Sequence, residues 1–155
     1  MSTSRIFLMR HGEAGFDAAS DIERSLTARG LASLDRLVER EAQRFSPVSA
    51  ILSSPYRRAL QTAERVQKRL GVPLLEPDAA FTPDRSVADA LEALERAPWQ
   101  NLLLVSHQPL LGNLVATLVH GDARYPEPMM PGSLAIVELD WPAAGLGRLL
   151  ARLDP

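Results

Sequence analysis

The sequence predicts an α/β protein, a three-layer α/β/α sandwich around a largely parallel central sheet. Three observations carry that prediction. Short apolar runs alternate with stretches of helical period along the whole chain. One run, Asn101–Ser106, is apolar without alternation, as in a strand buried on both faces. Capping residues and Gly/Pro punctuation separate the two kinds of segment.

Taken in order, Ile6–Met9 reads as a first strand, running out at Arg10, His11 and Gly12. Residues 13–26 have no helical period and read as a loop. From Thr27 to about Phe45, Leu31, Leu34, Val38, Ala42 and Phe45 recur at steps of three or four, predicting an amphipathic helix whose first turn Gly30 weakens. Val48–Ser53 is the second strand. Ser54 then reads as an N-cap with Pro55 at the first helical position, and Ala59, Ala63, Val66 and Leu70 form one stripe. Gly71 and Pro73 stop that helix, and a short strand is expected near Val72–Leu75.

Ser86 predicts another helix start, with Asp89 three residues on as a capping-box acid and Val87, Leu91 and Leu94 along one side. After Asn101–Ser106, Pro109 opens a helix that buries Leu110, Leu111, Leu114, Val115 and Leu118. Residues 122–131 read as a proline-rich loop, and Ser133–Leu139 and Leu146–Leu153 as closing strands.

Composition bounds what such a fold can do. At 155 residues a single domain spanning 1–155 is expected. Cysteine is absent, which removes disulfides, thiolate nucleophiles, iron–sulfur clusters and cysteine-bound zinc together. The only histidines are His11, His107 and His120, so no metal site and no cofactor is expected. A net charge of −2 gives no argument for nucleic acid. No apolar run approaches the ~18 residues of a spanning helix, so a cytoplasmic protein with no membrane contact is expected. Every basic residue except Lys68 is arginine, whose planar fork suits bidentate recognition of oxyanions.

In parallel α/β sheets, ligands bind beyond the carboxyl ends of the strands, where helix N-termini also point. Three stretches lie there: Arg10-His11-Gly12, Ser53–Arg58, and Ser106–Pro109. Two histidines and several arginines therefore converge on one edge of the sheet. Guanidinium forks and helix N-termini both favour a phosphate dianion. A neutral imidazole among them can attack phosphorus, and water can then hydrolyse the phosphohistidine that results. Charge stabilisation comes from the arginines, without a metal. His120, at a helix end before Gly121, reads instead as a structural residue.

These blocks resemble a known family. Met9-Arg10-His11-Gly12-Glu13 resembles the RHG signature of the histidine phosphatase superfamily, which includes the cofactor-dependent phosphoglycerate mutases. Ser54 through Thr62 (SPYRRALQT) resembles its second block, and Ser106-His107-Gln108-Pro109 its later serine–histidine block. Asp17–Asp21, Arg24 and Leu26-Thr27 are similar to the short bacterial branch of phosphohistidine phosphatases, and the likeness covers nearly the whole chain. It implies a phosphoglycerate mutase-like fold and a metal-independent hydrolase. By the same resemblance His11 is the nucleophile, Arg10 and Arg58 bind phosphoryl oxygens, and His107 donates a further hydrogen bond. Gly12 and Arg24 join the substrate-binding set, while Arg57 competes with Arg58 for the pocket.

Larger relatives carry an acidic proton donor in an inserted segment that this chain lacks. Its absence favours a phosphoramidate over a sugar phosphate, because imidazole leaves more readily than an alkoxide. Glu13 and Asp84 stand as candidate donors. The expected substrate is the phosphorylated histidine of a signalling or phosphotransfer protein. The alternatives are a small-molecule phosphomonoester and a catalytically silent phosphate-binding module.

Overall fold

A computed structural model describes residues 3–155. Its sheet has five strands, β1 (Ser4–Arg10), β2 (Ala50–Ser53), β3 (Leu102–Ser106), β4 (Leu134–Leu139) and β5 (Arg148–Leu153), in the order β2-β3-β1-β4-β5. β2, β3 and β1 run parallel, whereas β4 is antiparallel to both β1 and β5. The sheet is thus mixed, and the expected "largely parallel" is approximate: one reversed strand makes two of its four ladders antiparallel. The reason is local. β4 and β5 are joined by the helix-free segment 140–147, and a crossover helix is needed only between parallel neighbours.

Side chains alternate across β1. Ile6 and Leu8 join the cluster under α4 (Val87–Arg96) and α5 (Leu110–His120), which also takes in Leu102 and Leu104. Phe7 and Met9 join the opposite cluster with Leu103 and Val105, under α1 (Ala28–Arg40) and α3 (Arg57–Leu70). Two cores on the two sheet faces make the three layers. This is why β3 carries an unbroken apolar run: every residue from Leu102 to Ser106 is buried.

Several boundaries differ from the sequence expectation. The helix expected from Thr27 to Phe45 is interrupted at Glu41, leaving a one-turn α2 (Ala42–Phe45). Val72–Leu75 reduces to a single bridge between Leu74 and Ile51, bracketed by Pro73 and Pro77, neither of which has an N–H to donate. Ser86 caps α4 by accepting from the Asp89 N–H, but the Asp89 carboxylate turns to Arg85 instead of closing a capping box. Gly71 ends α3 at φ 69°, the left-handed conformation that favours glycine.

Gly30, which weakens α1 on propensity grounds, has a tertiary reason. A Cβ there would collide with the Glu13 carbonyl, so glycine lets the first turn of α1 press against the chain that follows His11. Among the described residues no helix is long and apolar enough to cross a membrane.

Candidate active site

Register brings the three motifs together. Arg10 on β1 is paired with Ser106 on β3, and Ser53 on β2 with Val105. The ladder continues one step past the strands: the His11 N–H donates to the Ser106 carbonyl and the Ser54 N–H to the Val105 carbonyl, both at 3.0 Å. His11, Ser54 and His107 therefore leave the sheet side by side, and the two imidazole centroids are 5.1 Å apart.

His11 is buried and held in one tautomer. Its Nδ1 lies 2.7 Å from the Gly12 carbonyl, an atom that only accepts, so Nδ1 carries the proton and Nε2 the lone pair. Gly12 is fixed in turn by its own N–H, which donates to Thr62 Oγ1 at 3.0 Å, and Thr62 donates back to the Arg58 carbonyl on α3. The Gly12 backbone is thus committed to orienting His11. Arg58, 4% exposed, donates from Nε to His11 Nε2 at 3.3 Å. Burial, together with the Arg58, Arg10 and Arg24 charges, lowers the His11 pKa to about 4 against the opposing Gly12 hydrogen bond. The imidazole is neutral near pH 7, as a nucleophile must be.

His107 makes a 2.8 Å contact from Nε2 to Ser54 Oγ. That hydroxyl accepts the Tyr56 N–H, and in the tautomer where its own proton goes to Nε2 the His107 Nδ1 carries the ring hydrogen. Nδ1 is left as a buried donor with no protein partner among the described residues. Burial lowers the His107 pKa to about 3, helped by the His11 and Arg58 charges. Arg10 is similar: Nη1 donates to the Met129 carbonyl at 3.0 Å, while Nε is buried with no partner among the described residues. Two unmatched donors beside a neutral imidazole suit an oxyanion with several acceptor oxygens.

Ser54 is therefore misread as an N-cap. The cap of α3 is Tyr56, without a side-chain bond, and α3 begins at Arg57 instead of Pro55. That delay turns Arg58 inward and leaves Arg57 on the surface, where Nη1 reaches only the Glu23 carbonyl.

The stretch 13–26 contributes more than a loop. A three-residue 3-10 turn, Asp21–Glu23, brings Asp21 onto the arginines. Arg58 Nη1 donates to the Asp21 carbonyl at 2.7 Å and Nη2 to its Oδ2 at 3.2 Å. Arg24 donates to Asp21 Oδ1 at 3.2 Å and to the Gly15 carbonyl at 2.9 Å, with its guanidinium 4.0 Å from the Phe16 ring centroid. Although burial raises the Asp21 pKa, Arg24 and Arg58 outweigh it and hold the carboxyl ionised. Asp21 was not read as a site residue from the sequence. Its acid-to-arginine spacing of three from Arg24 was the available signal.

The two candidate proton donors are engaged elsewhere. Glu13 accepts from Thr27 and Arg29, and the Arg29 hydrogen bond holds its pKa below the usual value. Asp84 accepts from Thr82 Oγ1 at 2.7 Å, which does the same. Neither is hydrogen-bonded to His11, His107, Arg10 or Arg58.

The sequence model of the histidine phosphatase superfamily (branch 1) matches residues 6–81, which take in the first two motifs and Asp21. The chain is 34% identical over 140 residues to the phosphohistidine phosphatase SixA of Escherichia coli, covering 88% of this chain and 86% of that protein. It is 36% identical over 141 residues to the SixA homolog of Haemophilus influenzae, covering 84% and 85%. A solved structure of the protein histidine phosphatase SixA complexed with tungstate superposes with a TM-score of 0.85 at 33% identity, over 97% of each chain.

Proposed function

This chain belongs to the histidine phosphatase superfamily, and from that footing we propose that it is a phosphohistidine phosphatase acting through a covalent intermediate on His11. Nε2 of neutral His11, released from the Arg58 Nε–H, attacks the phosphorus in line. The bond from phosphorus to the substrate imidazole breaks, and the departing nitrogen takes a proton from water. A second water then attacks phospho-His11, releasing phosphate and restoring the imidazole. Arg10, Arg58 and the Nδ1–H of His107 hold the phosphoryl oxygens, while Gly12 fixes the ring that attacks. Arg24 acts at the edge of this set through Asp21. The chemistry assigned to these side chains needs no metal.

The observation that carries the substrate class is the state of the neighbouring carboxyls. Asp21 accepts from Arg24 and Arg58, Glu13 from Thr27 and Arg29, and Asp84 from Thr82, so none is free to protonate an alkoxide. A phosphoramidate, whose leaving group is itself a base, suits such a site. A protein as bearer of that group is supported by the rim: Phe16, Ile22 and Met130 are exposed on the three segments that hold Arg24, Asp21 and Arg10. A cytoplasmic phosphotransfer domain fits this reading.

Kinetics test it. kcat/KM on a phosphohistidine-bearing phosphotransfer domain is expected to exceed that on sugar phosphates by orders of magnitude; the reverse order would refute the assignment. Replacing Phe16, Ile22 and Met130 together by serine is expected to lower kcat/KM on the protein substrate by about tenfold, the loss of two or three apolar contacts. Hydrolysis of free phosphohistidine should stay unchanged, and equal losses on both would exclude a docking role.

The pH profile follows from the buried imidazole. Neutral His11 is the reactive form, and its pKa is about 4 in place of the ordinary 6.5. Acidification should therefore leave kcat/KM level through pH 6.5 and reduce it only as pH 4 is approached. An acid limb centred at 6.5, after correction for substrate lability, would show that the ring is not shielded in this way.

A further inference from the structure

Asp21 puts a negative charge where the reaction calls for an anion to bind. Its two carboxylate oxygens are divided between two cations, Oδ2 on Arg58 Nη2 and Oδ1 on Arg24 Nη1, each at 3.2 Å. The carboxylate is 57% exposed, whereas the Arg58 side chain is 5% exposed. Arg58 is also secured without that carboxylate, because Nη1 donates to the Asp21 backbone carbonyl and Nε to His11. The backbone of Asp21 thus positions Arg58, and its side chain adds charge.

Three guanidinium groups, of Arg10, Arg24 and Arg58, are close enough to depress the His11 pKa, and Asp21 acts on His107 in the opposite sense. One carboxylate among three cations leaves two positive charges, the number that a phosphoryl dianion neutralises. We infer that Asp21 is a resident anion that weakens the hold of this arginine cluster on phosphate, so that product leaves after each turnover.

The inference rests on the phosphoryl-site reading above and adds a residue that opposes binding. An incoming dianion contends with the carboxylate for Arg58 Nη2 and Arg24 Nη1, and the two anions repel each other. In the phosphoenzyme and transition state the phosphoryl group is tied to His11 and tolerates that repulsion. Free phosphate has no such tether, so the carboxylate acts most strongly on product. Asp21 is by this account a positioning and release residue, not a group that touches the reacting atoms.

Titration of the purified protein with inorganic phosphate and with tungstate, at fixed ionic strength, tests the sign. Loss of one negative charge beside a bound dianion predicts that D21N binds either anion about tenfold tighter than wild type. D21E, which keeps the charge, should stay within about twofold of wild type. In turnover, D21N should show a lower KM and a correspondingly lower inhibition constant for phosphate, with kcat reduced as release becomes limiting.

A tether role alone would move affinity the other way, because slackened arginines bind phosphate less well. Equal or weaker binding by D21N overturns the inference, as does a D21E variant that tightens as much as D21N. Both results leave the phosphoryl site standing. Wild-type protein that binds neither anion would remove that site and the inference with it.

Discussion

His11→Ala is expected to abolish turnover, lowering kcat by about 10^4-fold or more, as loss of a covalent nucleophile does. Arg10, Arg58 and His107 remain in that variant, so phosphate and tungstate should still bind. The pairing of lost chemistry with retained binding is what separates a nucleophile from a packing residue. Wild-type protein quenched in acid-free denaturant during turnover should carry labelled phosphate, and His11→Ala should carry none. Label that persists in the variant would move the nucleophile elsewhere. Absence of label on the wild type would favour a phosphate-binding module.

Arg58→Ala is the second large effect, and it should be visible in two independent quantities. Removing a preorganised donor to a developing oxyanion costs about 10^2- to 10^3-fold in kcat. The same guanidinium depresses the His11 pKa. Its removal should therefore shift the acid limb of kcat/KM upward from about pH 4. Lysine should rescue little, because Arg58 uses Nε on His11 and both Nη groups on Asp21, a planar fork that an ammonium does not reproduce. A rate loss with an unmoved acid limb would mean that Arg58 binds phosphate without electrostatic control of the imidazole.

Much of this is legible in the sequence. Apolar runs located β1, β2 and β3, and the residues just past their carboxyl ends are the ones that converge. Legibility failed where tertiary contact overrode local signals. Ser54 followed by Pro55 has the form of a helix start, yet the serine hydroxyl is taken by His107 and the helix waits until Arg57. Residues 13–26 have no period because their order comes from elsewhere: Gln61 accepts the Leu26 N–H, Glu13 accepts the Thr27 N–H, and Arg58 holds Asp21. For that reason Asp21 shows in the sequence only as an acid three residues before Arg24. Glycine at position 30 looked like a weak helix start and is a point of backbone contact.

The shared register of Ser53, Ser106 and Arg10 has an evolutionary corollary. Because these residues sit on adjacent rungs of the two ladders that β3 makes, deleting a single residue within β3 would retract His107 by about 3.3 Å and move each β3 side chain to the opposite core. Length variation among descendants of this gene should therefore accumulate in the connections far from this edge, such as the segment joining β4 to β5, and be purged from the spans of the three parallel strands.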